Sequence, residues 1–119
     1  MSTVYILDDD VSLLFVLDML LSKYKYKVAT FTNSKDLLNA INLFKPDLVI
    51  LDVRLSEKED GKQVCIKLKQ DHHFTNKIFL FSASPVVKSE LQKCGADGFI
   101  EKPFRITAFM NIINNALAE

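Results

Sequence analysis

The sequence predicts an α/β fold, a parallel sheet with helices wound on both of its faces. Three observations predict it. Short apolar runs of strand length alternate with stretches of helical period in the order βαβαβαβαβα, and such alternation gives a parallel sheet with right-handed crossovers. The runs Val4-Tyr5-Ile6-Leu7, Leu48-Val49-Ile50-Leu51 and Ile78-Phe79-Leu80-Phe81 are apolar throughout, as strands covered on both faces are. Each run then ends abruptly in a polar residue. Leu48–Leu51 ends in Asp52, the first run in Asp8-Asp9-Asp10, Ile78–Phe81 in Ser82, and Phe99-Ile100-Glu101 in Lys102-Pro103. Acid, acid, hydroxyl and amine therefore arrive at one relative position, the carboxyl ends of the strands, where open α/β sheets place their ligand sites.

The elements follow in order. Val4 to Leu7 is the first strand, and Asp9 or Asp10 can cap the helix after it, which runs to about Ser22. That helix carries Val11, Leu13, Leu14, Phe15, Val16, Leu17, Met19, Leu20 and Leu21, more apolar side chains than one buried face needs. Leu14, Phe15 and Met19 are read as lying off the sheet-facing stripe. Lys27 to Phe31 is the second strand. Asn33 or Ser34 then caps a helix with apolar positions Leu37, Leu38, Ile41 and Phe44. Pro46 stops what precedes the third strand, Leu48 to Leu51. A polar loop, Arg54 to Asp60, leads to Gly61 as a turn residue. Val64, Cys65 and Leu68 mark the third helix. After the fourth strand, Ile78 to Phe81, Pro85 suits the first turn of a helix that ends near Cys94-Gly95. Gly98 to Glu101 is a short fifth strand. Ile106, Phe109, Ile113 and Leu117 mark the last helix.

Bulk properties narrow the function. A chain of 119 residues, 49% hydrophobic, is long enough for one domain with a packed core, expected over 1–119. Fifteen basic and fifteen acidic residues cancel, so there is no electrostatic footprint for nucleic acid or an anionic membrane. No apolar run is long enough to span a membrane and no signal peptide opens the chain, so a cytoplasmic protein is expected. Cys65 and Cys94 are too far apart for a metal knuckle and are expected as buried, reduced thiols. His72 and His73 sit in a polar connection, where histidines usually bind nothing.

Three carboxylates held together repel one another and raise each other's pKa, a conflict that a divalent cation relieves. An all-oxygen donor set with open water positions suits Mg²⁺ better than zinc. An aspartate can also act as a nucleophile and form an aspartyl-phosphate. Mg²⁺ and Lys102 could neutralise the charge of a transferred phosphoryl group, and the Ser82 hydroxyl could donate to one of its oxygens.

Asp8-Asp9 after the first strand, Asp52 after the third, Ser82-Ala83 after the fourth and Lys102-Pro103-Phe104 after the fifth resemble a response-regulator receiver domain. The resemblance covers nearly the whole chain. It implies a flavodoxin-like fold with strand order 2-1-3-4-5 and five helices. It implies that Asp52 accepts phosphate from the phosphohistidine of a histidine kinase or histidine phosphotransfer protein. Asp8, Asp9, Asp52 and the Arg54 backbone carbonyl would hold Mg²⁺, Lys102 would pair with the phosphoryl group, and Ser82 would move to bond it. Phe99 matches the family's aromatic switch position. A cis Lys102-Pro103 peptide is also implied. The expected role is signalling, with at most weak intrinsic autophosphorylation and dephosphorylation. Output would go to a downstream protein target, from a monomer or weak dimer.

The chain departs from the family pattern in the loop after Asp52. Asp60-Gly61 is present, but the usual proline position reads as Ser56 and the loop looks one residue longer. Arg54 and Ser84 fall where they would flank the approach of a hydrolytic water. Arginine has donors and no acceptor, so Arg54 is expected to pair with the phosphoryl oxygens or with Glu57 or Glu59, and to slow self-dephosphorylation. The apolar excess on the first helix is expected to dock a kinase or phosphotransfer helix. The last helix carries no charge from Ile106 to Ala118, so any dimer through it should be apolar, using Met110 or Ile112.

Three other readings compete. Asp8-x-Asp10 after an apolar strand resembles the start of a haloacid-dehalogenase-type phosphatase, with Ser82 and Lys102 fitting later motifs. That family needs a further acidic pair after the lysine, and the only carboxylate side chain beyond Glu101 is Glu119. A flavin-binding flavodoxin would place its phosphate loop where three aspartates stand. A degenerate receiver that only binds partners is opposed by the intact acidic set and Lys102.

Overall fold

In the computed structural model, which describes residues 1–55, 59–84, 86 and 88–118, strand and helix alternate along the whole chain. The elements are β1 (Thr3–Leu7), α1 (Val11–Lys23), β2 (Lys27–Phe31), α2 (Ser34–Leu43), β3 (Leu48–Asp52), α3 (Gly61–Gln70), β4 (Lys77–Ser82), α4 (Lys88–Cys94), β5 (Gly98–Glu101) and α5 (Ile106–Leu117). The strands form a parallel five-stranded sheet in the order β2-β1-β3-β4-β5. The flavodoxin-like fold class and its strand order are as expected.

Every residue of β1 and β3, the strands nearest the middle of the early half, is buried. Their alternate side chains feed two cores. Tyr5, Leu7, Val49 and Leu51 pack with Leu37, Ile41, Cys65 and Leu68 on the side of α2, α3 and α4. Val4, Ile6, Leu48 and Ile50 pack with Leu17, Leu21, Phe109 and Ile113 on the side of α1 and α5. Among the described residues, three helices begin at side-chain caps. Asp10 accepts from the Leu13 amide at 3.1 Å, Asn33 from the Asp36 amide at 2.9 Å, and Asp60 from the Lys62 amide at 2.7 Å, each satisfying a donor that the first turn leaves without a partner.

Several expectations are corrected. Leu14 lies in the core between α1 and α5, while Phe15 and Met19 are 66% and 60% exposed. Residues 14, 17 and 21 make the inward stripe, and Phe15 and Met19 share the opposite side with Val11. Met110 is buried against the same core and Ile112 is packed at its edge, so Met110 is not on a free dimer face. Ile106 opens α5 pointing outward. Phe44 falls just past α2 in an extended cap and packs on Tyr5. Gly61 is the first residue of α3 rather than a free turn. Ser56, Glu57 and Pro85, on which other readings fall, lie outside the described residues. The Lys102-Pro103 peptide, by contrast, is cis as expected.

Candidate functional site

Register brings the polar residues together. Leu7 of β1 is paired with Leu51 of β3, so the next residue of each strand, Asp8 and Asp52, leaves the sheet at the same level. These strands flank the point where chain order reverses, since β2 lies beyond β1 and β4 beyond β3. Asp52 is in turn paired with Phe81, and Ser82 with Glu101, which puts Lys102 at the same edge. Asp8 and Asp52 are buried, and Asp9 is exposed beside them.

Lys102 bridges the two buried acids. Its Nζ lies 2.8 Å from Asp8 Oδ2 and 3.4 Å from Asp52 Oδ1. The ammonium also stands 4.6 Å from the centre of the Phe81 ring, a cation–π position that holds it without another carboxylate. The other oxygen of Asp8 accepts from the Asp10 amide at 2.9 Å. The Arg54 backbone amide bonds the Asp52 carboxylate.

Charge does not balance here. Burial, then the neighbouring Asp8 carboxylate, push the Asp52 carboxyl up to about 6, against the opposing pull of Lys102. Burial works against the Lys102 charge, but its bond to Asp8 and the attraction of both acids outweigh this and leave the ammonium held above its ordinary pKa. Carboxylate oxygens of Asp8, Asp9 and Asp52 lie within 4.8 Å of one another. An all-oxygen set with surplus negative charge and an exposed side fits a hard divalent cation such as Mg²⁺.

Ser82 ends β4 with its hydroxyl accepting from the Ser84 amide at 3.0 Å. Its carbonyl accepts from the Lys102 amide at 2.8 Å. A cavity of about 280 Å³ opens over Asp52, bordered by Arg54, Ser82, Ser84 and Lys102. The Arg54 side chain is exposed, and its backbone forms a bridge with Asp60. Phe99, on β5, is half-buried against the core beneath α4. Asp10 is turned away to cap α1.

Two residues bear on the site in ways that their sequence positions did not indicate. Gly61 donates its amide to the Val53 carbonyl at 2.8 Å, and a Cβ there would stand 2.1 Å from the Asp52 carbonyl oxygen. The Asp60-Gly61 pair was the available signal. Phe81 reads only as a strand residue until register places it opposite Asp52.

The sequence profile of the response regulator receiver domain matches residues 4–114. The sensory transduction protein BceR of Halalkalibacterium halodurans is 32% identical over 127 residues, covering 100% of this chain and 54% of that protein. The chain spans about half the length of the curated relatives it matches. Among solved structures, the chemotaxis protein CheY4 of Vibrio cholerae superposes with a TM-score of 0.90 at 21% identity, covering 98% of this chain and 99% of that one. The response regulator TrrA of Thermotoga maritima, in complex with Mg(2+)-BeF, superposes with a TM-score of 0.85 at 24% identity, covering 98% and 100%. At these identities the two structures share the fold with this chain. No helix among the described residues is long and apolar enough to cross a membrane.

Proposed function

This chain belongs to the response regulator receiver family, and on that premise we propose that it is the phosphoacceptor of a two-component phosphorelay, with Asp52 receiving the phosphoryl group. The observation that supports this best is the shared ammonium of Lys102, 2.8 Å from Asp8 and 3.4 Å from Asp52. It leaves Asp52 the acid less tightly held and facing the cavity, while Asp8 stays anchored.

A carboxylate oxygen of Asp52 attacks the phosphorus of a phosphohistidine, and the bond from phosphorus to the imidazole nitrogen breaks as the histidine leaves. With its carboxyl near 6, Asp52 is mostly ionised at neutral pH and able to attack. Lys102 transfers its weaker contact from Asp52 Oδ1 to a phosphoryl oxygen while keeping Asp8. Ser82 gives up the Ser84 amide and turns its hydroxyl to the same group. Asp8, Asp9, Asp52 and the Arg54 carbonyl would hold Mg²⁺, which supplies charge neutralisation for the phosphoryl oxygens. Phe99 responds through the core beneath α4. The switch, rather than turnover of a substrate, is the output, and the chain acts as a monomer or weak dimer on a downstream protein.

The donor is a histidine kinase or histidine phosphotransfer protein. The exposed stripe of Val11, Phe15 and Met19 begins one residue after Asp10, at the rim of the site. A helix carrying the phosphohistidine must reach that rim, and this stripe gives it apolar surface to cover. The phosphatase reading loses its second aspartate to the α1 cap.

Incubation with acetyl phosphate and Mg²⁺ tests the assignment by intact mass. One phosphoryl group should add to the wild type and none to Asp52→Ala. Addition to Asp52→Ala at the wild-type level overturns it.

A further inference from the structure

The two cysteines take no part in the phosphoryl chemistry, yet the fold brings them together. Cys65 lies on α3 and Cys94 at the end of α4, 29 residues apart in sequence. Both are buried free thiols. The Cys65 Sγ donates to the Cys94 carbonyl at 3.1 Å, and the Cys94 thiol donates to the Leu91 carbonyl at 3.4 Å. Two further contacts hold these helices in that register. Lys62 pairs with Glu90 at 2.9 Å, and the Lys69 side chain lies across Gly95 on its way to Asp97.

We propose that Cys65 and Cys94 form a reversible dithiol site, which a low-molecular-weight disulfide such as oxidised glutathione closes into a cross-link between α3 and α4. Cys94 starts the reaction because it borders the exposed Gly95, at the open end of the seven-residue α4. Burial raises the pKa of Cys65, so it stays protonated while Cys94 reacts first, and it acts only as the second, resolving thiol. The Cys94 thiolate attacks a glutathione sulfur, giving a mixed disulfide and one reduced glutathione. The Cys65 sulfur, after losing its proton to solvent, attacks Cys94 and expels the second glutathione. Two thiols are thus oxidised and one glutathione disulfide is reduced. The bond joins the segment that follows Asp52 to the segment between Ser82 and Lys102, so it fixes the spacing of the two limbs of the site.

The full chain, folded and without denaturant, is incubated with oxidised glutathione, alkylated and digested without reductant. The expected product has lost about 2 Da and yields one peptide pair linking Cys65 to Cys94, reversed by dithiothreitol. Its thermal midpoint rises by about 10 °C, because the cross-link constrains the unfolded chain. Cys65→Ala should instead retain one glutathione on Cys94, and Cys94→Ala should stay unmodified. Two separate glutathione adducts on the wild type, disulfides between chains, or thiols that remain free under these conditions would each overturn the proposal.

Discussion

Replacing Asp52 with asparagine should make the metal-free protein more stable. Asp52 titrates near 6 in the folded chain against 3.8 for an unperturbed aspartate, raised first by burial and then by Asp8. Each factor of ten in proton affinity corresponds to about 1.4 kcal/mol, so keeping Asp52 ionised costs the fold about 3 kcal/mol above pH 6. The sign follows from proton counting. Between 3.8 and about 6 the folded chain holds more protons than the unfolded one, so this contribution falls as pH rises and is flat above that window. Asparagine resembles the protonated acid in size and charge, and Lys102 keeps its 2.8 Å bond to Asp8 in the variant. Urea unfolding of both proteins in chelator should therefore show Asp52→Asn ahead by about 3 kcal/mol at pH 7.5 and by about half of that at pH 5. Millimolar Mg²⁺ at pH 7.5 should narrow the gap, because ionised Asp52 then gains a partner. A gap of the same size at both pH values, or a variant less stable than wild type at pH 7.5, would refute the reasoning.

The other predictions concern the rim of the site. Gly61→Ala should lose about 2 kcal/mol of stability and accept phosphate more slowly from acetyl phosphate, since its Cβ meets the Asp52 carbonyl; wild-type stability and rate together would contradict this. Arg54→Asn should shorten the phosphoryl half-life by exchanging a donor-only side chain for one that can accept from a water, and an unchanged or longer half-life excludes shielding by Arg54. Phe15→Glu should react normally with acetyl phosphate but about tenfold more slowly with a phosphorylated partner protein, because a charge replaces apolar contact surface at its docking helix; equal transfer rates would remove α1 from the docking surface.

What could be read from the chain was local chemistry. An apolar run between turn signals is a strand wherever it stands, and Asp10, Asn33 and Asp60 cap their helices through bonds no more than three residues long. The alternation of such segments dictates a parallel sheet, and a parallel sheet sends all its carboxyl ends one way. Asp8, Asp52, Ser82 and Lys102 were therefore recognisable as neighbours before any contact was known.

Where a site or core depends on which surfaces meet, the chain was mute. Helix α1 is apolar on too many sides for periodicity to select its buried face, and its packing against α5 and the sheet is what takes in Leu14 and leaves out Phe15. Met110 is core for the same reason. The placing of Lys102 between Asp8 and Asp52 spans 94 and 50 residues, and the Phe81 ring under its ammonium depends on the pairing of β3 with β4. The raised pKa of Asp52 depends on burial by every element around it. Sequence alone determined the types of group at the sheet edge and their order, because short-range hydrogen bonding and hydrophobic period set both. Only the tertiary structure decided their distances and protonation, because Coulomb energy and desolvation depend on separations that residues far apart in the chain acquire by packing.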